Sequence, residues 1–262
     1  MSLLFGGVLL VLGMVGAFVS GLIGVGGAIV MIPLLLYVPP LVGVGRLDIK
    51  EVAAITMVQV FAAAVSGVIA HGRHRAVNVR LAATGGVAMA GGSLTGAVAS
   101  HWMPDAWLLM VFALMVTAAF VLMFLPPPPP PDVTTPAEAR EYSRTLTVAV
   151  AGAVGLAAGV VGAGGAFLLV PLMLVVVGVP IRVTIGSSLA MTALAATAGI
   201  IGKLVTGQVP LGSALVVALG AAPGAQLGAL ASRRLAGGML RGILFVVIVL
   251  TGVRVWWHVL FE

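Results

Sequence analysis

Apolar residues fill most of the chain, in runs long enough to be membrane helices and separated by short polar stretches. No run alternates apolar and polar residues in the way that the strands of a membrane barrel do. The runs cover residues 3–20, 28–45, 51–70, 80–100, 106–125, 145–158, 166–181, 183–203, 210–231 and 238–260. The pattern therefore predicts an all-α polytopic membrane protein, because a helix satisfies its backbone polar groups internally within lipid.

Composition supports the same fold class. Of the 262 residues, 61% are hydrophobic and only 8% are charged, whereas soluble domains carry about a quarter charged residues. The net charge of +6 at first suggests a nucleic-acid binder. The basic residues, however, are scattered between apolar runs, as in the positive loops of membrane proteins, so we expect no nucleic-acid partner. The chain has no cysteine, which excludes disulfides and thiolate chemistry.

The apolar runs form two groups of five on either side of one extended polar stretch. This stretch begins with six prolines and continues as DVTTPAEAREYSR, which is typical of a stiff, solvated linker. A shift of 132 residues pairs Gly92 with Gly224 and Gly96 with Gly228. We therefore predict two homologous halves: a first transmembrane repeat at 1–125, a proline-rich cytoplasmic linker at 126–144 and a second transmembrane repeat at 145–262.

A glycine-rich motif interrupts an apolar region in each half. It reads GLIGVGG at 21–27 and GVVGAGG at 159–165, and an alanine and then a proline follow at matched positions. The flanking runs 145–158 and 166–181 reach only about 21–24 Å at 1.5 Å per residue, less than the roughly 30 Å of a bilayer core. We expect glycine-broken re-entrant or half-length helices that meet near mid-membrane.

The distribution of basic residues predicts the orientation of the halves. If each motif is the tip of a hairpin, nine basic residues collect on one side of the membrane and four on the other. If each motif is only a kink, the loops carry six and six. The positive-inside rule favours the asymmetric solution. It places both termini outside and the linker in the cytoplasm, and it makes the two repeats inverted, which is the architecture of many secondary transporters.

The paired motifs suggest an anion site. A new half-helix is expected to begin at Ala28 and at Ala166, and its first N–H groups and positive dipole end favour an anion. Every carboxylate falls in or beside a loop, so a cation pathway has no candidate. We expect the backbone of Gly24, Gly26, Gly27, Gly162, Gly164 and Gly165 to line this site. The alternative is that the glycines only allow helices to pack closely.

Polar side chains inside the third and eighth runs are candidates to complete the site. They are Thr56 and Gln59 in the first repeat and Ser187 and Ser188 in the second, and the 132-residue shift pairs Thr56 with Ser188. Gln59 is the most telling, since a buried amide needs partners. The alternative for the hydroxyls is a bond to a carbonyl of their own helix.

Other polar residues have simpler explanations. His71 and Lys203 are also equivalent under the shift and could be basic mouths of an anion path, but interfacial snorkelling is the favoured interpretation. His71 and His74 lack a third ligand for a metal site. The segment serines have no histidine or lysine positioned as a base. We therefore expect no enzyme, no catalytic residue, no metal and no cofactor.

The doubled motif resembles that of the TauE/SafE sulfite exporter family of bacterial membrane transporters. The resemblance covers essentially the whole chain and rests on Gly21, Gly24, Gly26, Gly27 and Pro33, on Gly159, Gly162, Gly164, Gly165 and Pro171, and on Gly186, Ser187 and Ser188. It implies the movement of sulfur-containing anions such as sulfite, organosulfonates or related carboxylates, often outward across the cytoplasmic membrane.

We therefore expect a secondary transporter of the bacterial cytoplasmic membrane, which moves a small sulfur-containing oxyanion by alternating access, as an exporter. The alternatives are an anion channel and a carrier for a non-sulfur organic anion. The expected partners are the small anionic substrate and the lipid bilayer. The coupling ion, proton or sodium, stays unassigned, and the oligomeric state stays open, with a homodimer as one option.

Overall fold

A computed structural model describes residues 3–23, 27–72, 78–125, 142–232 and 237–261 of the chain. These residues form ten α-helices and one π-helical turn, without strands. In chain order the helices are α1 Leu3–Ile23, α2 Ala28–Leu41, α3 Ile49–Gly72, α4 Val79–Ala99, α5 Asp105–Phe124, α6 Arg144–Val161, α7 Ala166–Leu172, α8 Ile181–Val205, α9 Leu211–Ser232 and α10 Gly237–Phe261. The π-helical turn, Met173–Val177, follows α7.

Seven of these helices are long and apolar enough to cross a membrane: α1, α3, α4, α5, α6, α8 and α9. Three shorter apolar segments, in α2, in α7 with its π-helical turn, and in α10, complete the set. Each of the ten apolar runs in the sequence therefore corresponds to a helix, and the prediction of an all-α polytopic membrane protein is confirmed. Most of the predicted linker, residues 126–141, lies outside the described residues, so the linker stays a prediction.

The arms beside the glycine motifs differ in length. Helix α6 has 18 residues, about 27 Å, and is longer than the 14-residue arm that the sequence suggested. Helix α2 has 14 residues, and α7 has only seven before the π-helical turn. The arm after the glycines is therefore the short one. Pro171 lies inside α7; proline lacks an N–H and displaces the carbonyl four residues earlier, which accounts for a widened turn just after it.

Two helix pairs pack backbone to backbone through glycines. Helix α1 packs on α9 and α4 packs on α6. A β-carbon on Gly92 would lie 2.8 Å from the backbone nitrogen of Leu156 in α6, and one on Gly224 would lie 3.0 Å from Cα of Met14 in α1. In the predicted repeat α6 corresponds to α1 and α9 to α4, so these two interfaces are the ones that the prediction pairs, with partners exchanged between the halves. Their inverted orientation across a membrane stays a prediction.

Helices α3 and α8 lie at the centre of the bundle. Helix α3 packs on α8 and α9, and α8 packs on α3 and α4. Of the candidate spans, α3 is the most buried by the rest of the protein, at 61% of its window. The two central helices carry most of the polar side chains that the sequence singled out, and they bring these side chains into the interior of the bundle.

The glycine contacts predict a pair of opposite effects in α4. Gly92→Ala should lower the free energy of unfolding by about 1–3 kcal/mol, because the added methyl group overpacks the α6 backbone. Gly91→Ala is the matched control, since nothing lies within 4 Å of a β-carbon there; it should be neutral, or stabilising by up to about 1 kcal/mol. Thermal unfolding of both variants in detergent measures the difference. Equal shifts would show that α4 and α6 do not touch through Gly92.

Candidate functional site

The second glycine motif forms a tight, buried break between α6 and α7. We call residues 162–165 the second glycine tip. Gly162 ends α6, Gly165 caps α7, and both have φ of 76°, while Gly164 has φ of 62°. This left-handed backbone favours glycine strongly. A β-carbon at Gly162 would collide with the carbonyl of Ala53, and one at Gly164 with the side chain of Val60. The tip therefore presses directly on α3.

The first glycine motif has the same cap geometry where the structure describes it. Gly27 has φ of 68° and caps α2, as Gly165 caps α7. The amides of Val30 and Met31 donate to the carbonyl of Gly27, and those of Leu168 and Leu169 donate to that of Gly165. Gly24 and Gly26 lie outside the described residues. The two short helices thus begin at Ala28 and Ala166, the residues that the motif indicated.

The two helix starts have different main neighbours among the described residues. Helix α2 packs mainly on α1, α3 and α10, and α7 packs mainly on α5 and α8 and on the adjoining π-helical turn. Ala28 and Ala166 are both fully buried. A single anion site that is shared by the two helix starts therefore stays a prediction.

Five buried polar side chains around the second tip lack hydrogen-bond partners among the described residues. We call them the polar cluster: Thr56 and Gln59 on α3, Ser93 on α4, and Ser188 and Thr192 on α8. Each is at most 1% exposed. A buried polar group without a partner costs about 1–3 kcal/mol, so such groups are expected to serve a ligand or a conformational change rather than stability.

Hydroxyls elsewhere in the bundle follow the common pattern of bonding to their own helix. Thr197 on α8 donates to the carbonyl of Ala193 at 2.8 Å, and Thr117 on α5 donates to that of Ala113 at 2.8 Å. Thr84 and Thr95 do the same on α4. The alternative that membrane hydroxyls only satisfy their own helix therefore holds for these threonines. It fails for Thr56, Ser188 and Thr192.

Helical spacing and the tip bring the cluster together. On α3, Ala53 and Val60 contact the tip, and Thr56 lies between them on the same helix face; Gln59 follows within one turn. On α8, Thr192 lies one turn after Ser188, and its methyl group is 3.3 Å from where a β-carbon on Gly164 would be. The tip therefore lies between the polar positions of α3 and those of α8.

Ser93 joins the cluster from α4. Its Oγ would lie 2.7 Å from a β-carbon on Gly199 of α8, and the terminal methyl of Met57 on α3 approaches the same point at 2.5 Å. The small size of Gly199 is thus what lets a polar side chain of α4 reach the interface between α3 and α8. The sequence did not indicate Ser93, because its equivalent in the second repeat is Ala225. Thr192 was detectable from its four-residue spacing after Ser188.

Ser187, which the sequence grouped with Ser188 as a candidate site residue, is not one of the unpartnered side chains. It is buried, and its Oγ accepts a hydrogen bond from the backbone N–H of Asn78 at 3.1 Å. The Asn78 side chain in turn accepts from the amide of Leu81 and caps α4. Ser187 therefore connects the start of α8 to the start of α4. The tip of Gly162, Gly164 and Gly165 contacts α3 on the face that carries Thr56; that Gln59, Ser188 and Ala166 belong to the same site stays a prediction.

The interpretation of Lys203 as a snorkelling side chain is wrong. Lys203 is 0% exposed, and its ammonium group donates to Ser100 Oγ at 3.0 Å rather than extending into the interface. Tertiary packing explains this burial, because the end of α4 and the turn after α8 cover the last turn of α8. The side chain of its repeat partner, His71, lies outside the described part of the chain, so the proposed pair of basic mouths is not tested.

The tip geometry predicts the effect of substitutions at Gly164. Gly164→Ala should cost about 1–2 kcal/mol for the left-handed backbone and about 1–3 kcal/mol more for overpacking against Val60. Gly178→Ala is the matched control, since Gly178 has φ of 76° and nothing within 4 Å of a β-carbon, so it should show the backbone penalty alone. Val60→Ala introduced into Gly164→Ala should recover part of the difference in thermal stability. Equal losses of stability in Gly164→Ala and Gly178→Ala would contradict the contact between the tip and α3.

The unpartnered hydroxyl of Thr192 predicts a stabilising substitution. Thr192→Val keeps the shape and removes the orphan oxygen, so the free energy of unfolding should rise by about 1 kcal/mol or more. Thr197→Val on the same helix is the control and should change it by no more than about 0.5 kcal/mol. Thermal unfolding of both variants gives the comparison. A loss of stability in Thr192→Val would mean that its hydroxyl has a partner.

Comparison with known proteins agrees with this architecture. The family model described as "Sulfite exporter TauE/SafE" matches residues 9–255. The chain is 25% identical over 276 aligned positions to "Probable membrane transporter protein YunE" of Bacillus subtilis (strain 168), and the alignment covers 97% of this chain and 98% of that protein. No solved structure matches the chain. With a family model that spans nearly its whole length, the chain belongs to the TauE/SafE sulfite exporter family of membrane transporters.

Proposed function

We propose that this transporter moves a small sulfur-containing oxyanion, such as sulfite or an organosulfonate, out of a bacterial cell across the cytoplasmic membrane by alternating access. The family description supports the substrate class, and the printed name of the Bacillus relative supports a membrane transporter. The observation that carries the proposal is the polar cluster: five unpartnered polar side chains in the apolar centre of the bundle, beside a buried helix break.

The chemistry of the cluster suits an oxyanion. The Gln59 amide supplies two N–H donors, and the hydroxyls of Thr56, Ser93, Ser188 and Thr192 supply one each. Sulfite and sulfonates present three oxygen atoms, each of which accepts hydrogen bonds. The described carboxylates, Asp48, Glu51 and Asp105, lie at or beside helix starts, and none of them belongs to the cluster.

The glycine tips complete the proposed site. Backbone N–H groups at the start of a helix are natural anion donors, and the amides of Ala166 and Phe167 precede the first amides that bond back to Gly165. In the proposal, the tip of Gly162, Gly164 and Gly165 forms one wall. The equivalent tip, Gly24, Gly26 and Gly27 before Ala28, forms another wall when the repeats move.

Burial of the cluster implies that the described conformation is closed. With at most 1% exposure, none of the five side chains is reached by solvent from either end. Substrate entry then requires the helices around the tip to move. In alternating access such movements open the site to one side of the membrane at a time. The short arms α2 and α7 are the natural moving parts, because each begins at a left-handed glycine, a position where a few backbone angles absorb a rotation.

Energetics favour export without a coupled ion. The inside-negative membrane potential drives an anion outward by about 2.3 kcal/mol per charge per 100 mV. A proton or sodium ion is then needed only for import, and the coupling ion remains unassigned in the proposal. The orientation proposed here has both termini outside and the linker in the cytoplasm. A homodimer is compatible with it and not required by it.

Sulfite efflux from proteoliposomes tests the proposal. Wild-type protein should release sulfite with saturation, and faster with an inside-negative potential. Gln59→Met and Thr192→Val should lower the rate at least about tenfold, which corresponds to one lost hydrogen bond to a charged group. Thr197→Val is the matched control and should stay within about twofold of wild type.

The other outcomes separate the alternatives. Flux that does not saturate would indicate an anion channel, and competition by acetate but not by sulfoacetate would indicate a carrier for non-sulfur anions. Absence of sulfite flux in wild-type vesicles would overturn the proposal. Thermal unfolding of the same preparations checks that the variants are folded, since both substitutions remove orphan polar groups and should leave stability unchanged or higher.

A further inference from the structure

One face of α8 continues from the polar cluster to the end of the helix. Ser188, Thr192, Gly199 and Lys203 follow each other at intervals of four, seven and four residues, which is the spacing of a single helix face. All four are buried. The face spans about 22 Å, and Ser93 of α4 adds a hydroxyl beside Gly199. Small and hydroxyl-bearing residues therefore form a buried strip that ends at a lysine.

Lys203 is held at the end of this strip by neutral groups. Its Nζ donates to Ser100 Oγ at 3.0 Å and to Gln208 Oε1 at 3.3 Å. The amide nitrogen of Gln208 donates to Thr206 Oγ1 at 2.7 Å and to the carbonyl of Ala97 at 3.2 Å. The ammonium group has three N–H donors, and among the described residues only these two acceptors receive them.

The charge of Lys203 is not balanced within the described part of the chain. No carboxylate there forms an ion pair with it, and the charge that acts on it is that of another cation, Lys50. Lys50 itself donates to the carbonyl of His101 at 2.9 Å. A fully buried ammonium is costly without an anionic partner, and an ionisable residue inside a membrane span marks a functional site by default.

A purely structural role does not account for this lysine. Lysine near a helix C-terminus often caps the last carbonyls, but in α8 the backbone already does so: the amides of Thr206, Gly207 and Gln208 bond to the carbonyls of Gly202, Leu204 and Lys203. The ammonium group is directed at α4 and at the Gln208 side chain instead. Its position at the end of the strip is therefore the feature that needs a function.

We propose that Lys203 is a second anion-binding station, which receives the small oxyanion after it leaves the polar cluster along α8. This inference rests on the proposed function. In the closed conformation the oxygen atoms of Ser100 and Gln208 accept the hydrogen bonds of the ammonium group in place of the anion. Charge-assisted hydrogen bonds to an oxyanion are about twice as strong as bonds to neutral oxygens, so sulfite displaces both. The Ser100 hydroxyl keeps its hydrogen bond to the carbonyl of Ala97, and the Gln208 amide turns to donate to the same anion.

Equilibrium binding of radiolabelled sulfite to the purified full-length protein in nanodiscs tests the station. In a Gln59→Met background, which weakens the polar cluster, Lys203→Gln should raise the Kd for sulfite at least about tenfold. Lys203→Arg keeps the charge and should stay within about threefold of the background. Ser100→Ala removes a competing neutral acceptor, so its Kd should be unchanged or lower.

Thermal unfolding distinguishes this from a structural lysine. In the proposal Lys203→Gln keeps or raises the midpoint, since an unbalanced buried charge is removed. Lower midpoints in both Lys203→Gln and Ser100→Ala with an unchanged Kd would overturn it. If wild type transports sulfite and Lys203→Gln binds it as the background does, the station is wrong and the proposed function stands. If wild type neither binds nor transports sulfite, both fail.

Discussion

Backbone groups that are left unpaired at a buried helix break must be covered by protein, and in this chain α3 covers part of the second glycine tip. Gly162 lies against the carbonyl of Ala53, and Gly164 lies between Val60 and Thr192. Helix α3 also packs on α8 and α9. Helix α8 contacts the tip through Thr192, so the tip has α3 on one side and a polar residue of α8 on the other.

The glycine-mediated helix pairs make this arrangement possible. Association of helices in lipid depends on close packing, because apolar side chains gain little by leaving lipid. The contacts of α1 with α9 and of α4 with α6 bring backbones together at positions such as Gly92 and Gly224, and each pair joins one predicted repeat to the other. These tight pairs therefore compensate for a centre in which five polar side chains are unsatisfied. This is the usual relation between stability and a site that must bind and release a ligand.

Local signals in the sequence were sufficient for the described helices and for some members of the polar cluster. Apolar runs gave all ten helices, and the glycine–alanine step gave the starts at Ala28 and Ala166. The repeat pointed to Thr56 and Ser188. The end of α6 was placed too early, because the glycine at 159 continues a membrane helix instead of ending it. Ser93 and the burial of Lys203 were not predictable, since they depend on Gly199 and on Ser100, residues about a hundred positions away.

The two proposed stations differ in charge, and the difference has a physical reason. Coulomb attraction grows as the surrounding dielectric falls, so a lysine at the buried centre would hold an anion too firmly for rapid release. Neutral donors such as Gln59 and Thr192 compensate for lost hydration without a fixed opposite charge. In the proposal, the ammonium group of Lys203 in the last turn of α8 acts at the end of the route, before the anion regains its hydration. A neutral centre and a charged end thus keep the anion's free energy more even along the route, which is what transport requires.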